Sequence, residues 1–240
     1  MKIALLGYGK MGKEIEKLCA DTDMEIVARI DNEEDWQEYV QDFRGADVAI
    51  EFSTPDTVIP NIRKCFEAGI PVVVGTTGWY DQMEQLKDEC RAKNGALIFG
   101  SNFSVGVNLF FKLNEIFARM MSDYPDYKVA MEEIHHTQKL DAPSGTAISL
   151  ANILIKEIDR LKDWKKGESN QTERLGIVSK RIDPTPGTHI ISYLSDIDEI
   201  ELKHTAKSRA GFAKGAITAA RWIQGKKGWY EFADILFKKT

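Results

Sequence analysis

No apolar run in this sequence approaches the roughly twenty residues that a helix needs to cross a bilayer, which argues against a membrane-spanning role. The N-terminus runs straight into a strand-like segment, so no export signal is expected. Cysteine is scarce: Cys19, Cys65 and Cys90 are an odd, scattered set without metal-ligand spacing, which excludes a disulfide framework. Each falls in a segment of helical pattern, as a small buried hydrophobe in a reducing compartment would, and the expected location is the cytoplasm. Basic charge is not in excess. The 32 Lys and Arg against 37 Asp and Glu give a net charge of −5, and no surface suited to nucleic acid is expected. Internal repeats and low-complexity segments are absent. What remains is 240 residues, 43% of them hydrophobic, enough for one large domain or two small ones with real cores.

One stretch concentrates the chemistry. Glu133-Ile134-His135-His136-Thr137-Gln138-Lys139-Leu140-Asp141-Ala142-Pro143-Ser144-Gly145-Thr146-Ala147 brings together two adjacent imidazoles, a lysine, a proline-set turn and a Ser-Gly-Thr at a predicted helix start. Imidazole is the only side chain whose unperturbed pKa lies near neutrality, so adjacent histidines suit proton transfer. The backbone N–H groups of a Ser-Gly-Thr turn opening a helix suit a carboxylate or phosphate. The residues alone also fit an ordinary strand–loop–helix connection.

The start of the chain carries a cofactor pattern. Lys2 to Leu6 reads as a buried strand, Gly7-Tyr8-Gly9-Lys10-Met11-Gly12 gives G-x-G-x-x-G, and Lys13 to Ala20 continues as a helix with Ile15, Leu18 and Cys19 inward. Gly7 is expected to permit the tight turn, Gly9 to let a pyrophosphate approach, and Gly12 to let the helix pack closely on the strand. A second strand, Glu25 to Ile30, ends in Asp31, where an acid holds a ribose hydroxyl. Strands follow at Asp47 to Phe52, Pro71 to Val74 and Ala96 to Phe99. Between them run a helix capped by Ser53-Thr54-Pro55 and ending about Ala68, and one from about Tyr80 to Lys93. This rhythm predicts an α/β chain with an N-terminal, Rossmann-type doubly wound parallel sheet whose site lies at the carboxyl ends of its strands. The loops Gly75-Thr76-Thr77-Gly78 and Gly100-Ser101-Asn102-Phe103 fall on that side.

After Phe103 the pattern changes. A long amphipathic helix spans Val105 to Met121, and a strand from Tyr127 to Ile134 delivers the histidine pair. A helix runs from Ser144 to about Ile158, and Leu161 to Asn170 reads as a charged surface loop. Strand-like runs follow at Leu175 to Arg181, Thr188 to Leu194 and Asp198 to Ala206. Strands clustered after helices predict an α+β domain with an open mixed sheet. The helical segment Gly211 to Ile223 would return to the first domain. The expected division is 1–103 completed by about 211–240, with 104–210 as the second domain. Ile190, Ser192 and Leu194 alternate with Ile191, Tyr193 and Ser195, so neither face of that strand is strongly polar. That favours sheet-to-sheet contact between subunits over a solvated sheet.

The segment from Glu133 to Ala147 resembles the E-x-H-H-x-x-K-x-D-A-P-S-G-T-A signature of the 4-hydroxy-tetrahydrodipicolinate reductase (dihydrodipicolinate reductase) family. Gly75 to Gly78, Ser101 to Val107 and the His204 to Gly215 region with Arg209 and Phe212 extend the likeness over nearly the whole chain. The resemblance implies an NAD(P)H-dependent oxidoreductase that reduces 4-hydroxy-tetrahydrodipicolinate to tetrahydrodipicolinate in the diaminopimelate and lysine pathway. It also implies a homotetramer joined through the second domain; no metal is expected, and charge and apolar-run length lead to the expectation of neither a membrane nor a nucleic-acid partner. It makes His135 the proton donor and acceptor, Lys139 a second proton donor, and His136, Ser144, Gly145 and Thr146 substrate ligands. The cofactor set it implies is Gly7, Tyr8, Gly9, Lys10, Met11, Gly12, Asp31, Gly75, Thr76, Thr77, Gly100, Ser101, Asn102 and Phe103. Physical chemistry agrees with these roles. A small cyclic dicarboxylate calls for converging cations and N–H donors. Hydride delivery to an electron-poor carbon leaves negative charge that a proton from His or Lys discharges.

The chain departs from the family in places. Its glycine loop is the compact form, where many members carry one extra residue. Asn32 follows Asp31, where NADPH-tolerant relatives place an arginine. Asp31 therefore predicts use of NADH or NADPH with NADH preferred, the repulsion of a 2′-phosphate being softened by Lys10 and Lys13; Arg29, two residues upstream, fits either the adenosine side or a place beneath the sheet. His189 follows Thr188, where the family often has an acid, and carries no assigned role. Trp79 fits a nicotinamide wall or a packing residue, His204 a structural hydrogen-bonder, and Trp222 and Trp229 packing. Two other classes share parts of the pattern. Aspartate- or homoserine-type dehydrogenases lack the His-His…Lys…Pro-Ser-Gly-Thr run, and a non-catalytic nucleotide sensor needs neither His135 nor Lys139.

Overall fold

The computed structural model describes residues 1–20, 22–208 and 210–237; Arg209 lies outside them. Its elements in chain order are β1 (Lys2–Leu6), α1 (Lys10–Cys19), β2 (Glu25–Ile30), α2 (Glu33–Glu38), α3 (Val40–Arg44), β3 (Val48–Glu51), α4 (Val58–Ala68), β4 (Val72–Val74), α5 (Met83–Ala92) and β5 (Ala96–Phe99). There follow α6 (Val105–Met121), β6 (Lys128–His135), α7 (Gly145–Glu157), β7 (Asp163–Lys166), β8 (Arg174–Arg181), β9 (Gly187–Leu194), β10 (Glu199–Ala206), α8 (Ala210–Ile223), β11 (Gly228–Glu231) and α9 (Phe232–Phe237). The chain forms two compact units, Met1–Val105 with Ala210–Thr240, and Gly106–Arg209. Among the described residues no helix is long and apolar enough to cross a membrane.

The first unit is built on a sheet in the order β11-β5-β4-β3-β1-β2, with every pairing parallel. Strand residues alternate between two buried faces. Ile3, Leu5, Val48, Ile50 and Ile98 pack with Ile15 and Cys19 of α1 and with Ala213, Ala216 and Ile223 of α8. Ala4, Leu6, Ala49, Val72, Val74 and Leu97 pack with Ile62, Cys65 and Phe66 of α4 and with Leu86 and Cys90 of α5. Burial on both faces is why these strands read as continuous apolar runs. Strand order reverses between β1 and β3, so the crevice at their carboxyl ends is where a ligand is held in such sheets. All three cysteines are buried free thiols, and burial pushes each up.

Local chemistry moves some boundaries. The helix expected from Ser53 begins at Val58. Hydroxyls of Ser53, Thr54 and Thr57 bond one another, and Ser53 also bonds Glu51, which holds the intervening backbone in a loop. Residues 163–166, expected within a loop, form the edge strand β7, parallel to β8. Its Asp-Trp-Lys-Lys sequence has one apolar residue and no readable alternation. β11 likewise adds to the edge of the first sheet from a segment read only as packing tryptophans.

The second unit holds a mixed sheet in the order β10-β9-β6-β8-β7. β9 is antiparallel to β6 and β10, and β8 is parallel to β6 and β7. Met131, Leu175, Ile177, Ile191 and Tyr193 face a core shared with Phe110, Ala118 and Met121 of α6 and Leu150, Ala151 and Leu154 of α7. Alternation turns Ala130, Glu132 and Ile134 of β6 and Ile190, Ser192 and Leu194 of β9 to the opposite face, where they are half-buried or exposed.

Candidate active site

The turn after β1 gives each glycine a separate reason. Gly7 has φ +92°, and a Cβ there would lie 2.2 Å from the Phe52 carbonyl oxygen. A Cβ on Gly12 would meet the Gly7 carbonyl oxygen at 2.5 Å, so α1 can pack on the turn only without a side chain. Gly9 differs: nothing lies within 4 Å of its Cβ position, and it opens α1 without a side-chain cap. The uncapped start of this ten-residue helix borders a hollow, an arrangement that fits a pyrophosphate.

Neighbouring side chains shape the adenosine end. Asp31 Oδ1 accepts the Tyr8 N–H at 2.8 Å. Asn32 is the N-cap of α2 in a capping box with Asp35, so its side chain is occupied. Arg29 pairs with Glu16 of α1, which the Tyr8 hydroxyl also bonds, so its charge is already neutralised. Lys10 and Lys13 remain exposed, with Lys13 Nζ 5.8 Å from the centre of the Tyr8 ring.

A hollow of about 430 Å³ is lined by Gly9, Lys10, Met11, Phe52, Ser53, Gly75, Thr76 and Thr77. Gly75 lets the Phe52 ring through, since a Cβ would fall 2.1 Å from it. Trp79 is a packing residue: it is buried among Phe99 and Trp229, and its Nε1 donates to the Thr76 carbonyl at 2.8 Å, bracing this loop. In the next loop Ser101 is exposed and Asn102 Oδ1 accepts the Ser104 N–H at 2.8 Å. The Phe103 ring belongs to the core, 5.9 Å from Phe52 and 4.7 Å from Phe232.

In the second unit, β6 alternation puts Glu133 and His135 on one buried face. Glu133 is 0% exposed. Both its oxygens accept the Ser144 N–H at 3.1 Å. Oε2 lies 3.3 Å from His135 Nδ1 and 3.9 Å from His189 Nε2, and the Arg181 guanidinium approaches Oε1 to 3.4 Å. Burial opposes ionisation of Glu133, but interactions with His135, Ser144 and Ser179 outweigh it and hold the carboxyl well below the usual range. At His189 the balance reverses. Burial, reinforced by the nearby His135, pushes that imidazole down to about 4, so it is neutral at pH 7.

The loop after β6 is tied down at several points. Lys139 Nζ donates to both Asp141 oxygens, at 2.8 and 2.9 Å. Thr137 donates its N–H and its hydroxyl to Asp183, and Arg181 donates to the carbonyls of Lys139 and Asp141. His136 is half-buried, and among the described residues its Nδ1 has no hydrogen-bond partner. Ser144 caps α7, its Oγ accepting the Ala147 N–H at 3.2 Å and lying 3.2 Å from His189 Nε2. Gly145 and Thr146 then begin a 13-residue helix, with no carbonyl one turn behind for their N–H groups. A Cβ on Gly145 would meet nothing within 4 Å.

The second unit therefore brings together His135, His136, Lys139 and the Ser144–Thr146 turn, as the contiguous motif leads one to expect. It adds two residues that sequence spacing does not reveal. Register places Arg181 opposite His135 and His189 opposite Glu133, across strands far apart in the chain. The only signal for them is a basic residue and a histidine near strand ends. His204, opposite His189 on β10, stacks on Phe110 with ring centres 5.9 Å apart, a packing role. Glu133, His135 and His189 hold donor atoms within 4.8 Å of one another. The carboxylate is already shared by an N–H group and the Arg181 guanidinium, and a dication would sit against that guanidinium. The guanidinium beside Glu133 makes the trio a poor fit for a metal ion.

Residues 1–103 match the family described as dihydrodipicolinate reductase, N-terminus, and residues 106–236 match dihydrodipicolinate reductase, C-terminus. A 4-hydroxy-tetrahydrodipicolinate reductase of Christiangramia forsetii is 47% identical over 98% of each chain. One from Aquifex aeolicus is 36% identical over 95% of each. Among solved structures, a dipicolinate-bound dihydrodipicolinate reductase from Paenisporosarcina sp. TG-14 superposes with a TM-score of 0.76 at 24% identity, covering 98% of this chain and 99% of that one. At that identity the likeness concerns the fold.

Proposed function

The chain belongs to the dihydrodipicolinate reductase family, and on that premise we propose that it reduces 4-hydroxy-tetrahydrodipicolinate to tetrahydrodipicolinate in the diaminopimelate and lysine pathway. The observation that carries this reading is the grouping of His135, His136 and Lys139 beside the open N-terminus of α7. The substrate is a small cyclic dicarboxylate. The Gly145 and Thr146 N–H groups and the Thr146 hydroxyl take one carboxylate, and the His136 imidazole, whose Nδ1 has no partner among the described residues, takes a further polar group. The reaction adds a hydride and a proton and releases water, so the chain must hold protons where charge appears. His135 and Lys139 supply them, with Lys139 steered by Asp141.

A nicotinamide dinucleotide, when bound, supplies the hydride. Gly7 to Gly12, Gly75 to Thr77 and Gly100 to Phe103 hold it, and Asp31 accepts from the adenosine ribose hydroxyls. Asp31 disfavours a 2′-phosphate, Asn32 and Arg29 are engaged elsewhere, and Lys10 and Lys13 are the cations left to offset that. This supports use of both cofactors with NADH preferred. The partly apolar outer face of the second sheet supports a homotetramer, and three buried free thiols support a cytoplasmic location. The test is oxidation of NADH with freshly generated 4-hydroxy-tetrahydrodipicolinate. Turnover is expected, and a folded sample without it refutes the proposal.

A further inference from the structure

A buried carboxylate beside an imidazole needs a reason, because isolating a charge from water is costly unless it is fully partnered. Glu133 accepts hydrogen bonds from Ser144 and Arg181 and has the His135 ring in contact. It lies two residues before His135 on the same face of β6, with Oε2 3.3 Å from His135 Nδ1. Its other neighbours are the Ser144 N–H and the Arg181 guanidinium, both donors to carboxylate oxygens, and His189 Nε2 at 3.9 Å. The opposite edge of the His135 ring, Nε2, lies over Gly187, where a Cβ would come within 3.1 Å. The missing side chain leaves that edge uncrowded.

We infer that Glu133 is a positioning residue that acts through His135, holding the ring by Nδ1 and leaving Nε2 as the atom that exchanges the proton. This rests on the reading of His135 as proton donor. A carboxylate behind a proton-carrying imidazole fixes its tautomer and orientation and stabilises the imidazolium, without taking the proton itself. When Nε2 gives its proton to the substrate, the neutral form left behind carries its hydrogen on Nδ1, facing Glu133. No new bond-making step is involved, and Glu133 stays ionised throughout. The same carboxylate fixes the Ser144 N–H, so one buried group sets both the proton carrier and the start of α7, the substrate-carboxylate end of the site.

The arrangement makes glutamine an informative replacement. A glutamine has one acceptor oxygen, and the Ser144 N–H and Arg181 compete for it. Its NH₂ group is then turned toward His135 Nδ1, where it favours the opposite tautomer. Glu133→Gln is expected to lower kcat tenfold or more through the proton step and to raise KM for substrate through the loosened start of α7, with KM for NADH within about threefold of wild type. Nitrogen-15 NMR of the histidine side chains provides a reading that a merely structural role would not move. In the wild-type protein the neutral form of His135 should carry its proton on Nδ1, and in Glu133→Gln on Nε2. The wild-type spectrum decides the matter even if the variant does not fold: an Nε2–H neutral tautomer there overturns the inference. His135→Gln separates the two claims. If it keeps full turnover, the proton-donor reading fails and this inference fails with it. If it is inactive while Glu133→Gln keeps wild-type kcat, only the role of Glu133 is overturned.

Discussion

His189 had no role in the sequence, and its burial gives it a measurable one. Its folded pKa of about 4 lies below the roughly 6.5 of a free histidine, so between those values the unfolded chain binds a proton that the folded chain does not. The stability it contributes is therefore complete above about pH 6.5 and is lost as pH falls toward 4. Glu133 acts in the same direction at lower pH. Its carboxyl is depressed in the fold, so its contribution is present above the ordinary carboxylate range and lost as pH falls below it. Burial is the main cause at His189, with His135, His204 and Lys139 adding to it and Glu133 opposing it. From pH 7 to pH 5 the His189 contribution should fall by roughly 2 kcal/mol. Urea unfolding of His189→Asn should show a correspondingly shallower loss over that interval, and equal losses in both proteins would contradict the assignment. A second residue-scale expectation concerns Asp31. Replacing it with alanine removes the carboxylate proposed to lie at the adenosine ribose, so Asp31→Ala should shift kcat/KM toward NADPH. Measurement at fixed ionic strength is needed because salt screens these charges. A wild-type protein that strongly prefers NADPH would show that Lys10 and Lys13 outweigh Asp31.

At the scale of elements, two glycines of one turn should behave oppositely. Gly7→Ala forces a side chain into a left-handed conformation and against a backbone carbonyl, which should cost roughly 2–4 kcal/mol and lower the melting temperature. Gly9→Ala meets no neighbour and should melt like wild type, yet bind NADH at least tenfold more weakly because its methyl occupies the approach to the helix N-terminus. Calorimetric titration with NADH checks this, and unchanged affinity would remove the pyrophosphate from this turn. Such elements were readable wherever side chains repeat a period or a turn demands a residue type. The bounds of β1, β2, β5 and α6 coincide with their apolar patterns. Hydroxyl bonding delays α4 to Val58, and that competition leaves no trace in periodicity. β7 and β11 are edge strands defined by a neighbour rather than by their own pattern. The same divide runs through the site. The contiguous motif from Glu133 to Thr146 is visible in sequence, whereas Arg181 and His189 arrive only through the order in which β8, β6 and β9 pair.

At the scale of the whole molecule, the second sheet poses the remaining physical question. One face is covered by α6 and α7, while the other carries Ala130, Ile134, Val178, Ile190 and Leu194 among polar residues, with Glu132 and Lys180 paired across it. A sheet face of this mixture suits the proposed contact between subunits. Two such faces meeting about a twofold axis close a dimer, and the proposed tetramer needs a second twofold contact. Stable assembly requires about 1,600 Å² of buried surface at each contact, within reach of a five-stranded sheet. Light scattering should give the mass of four chains at micromolar concentration. Ile190→Lys puts a charge in the middle of the face, on a strand flanked by β6 and β10, and should reduce the mass while leaving NADH binding by the first unit intact. A wild-type protein that is a stable monomer with full activity at that concentration would show that this face is solvated and that the tetramer is wrong.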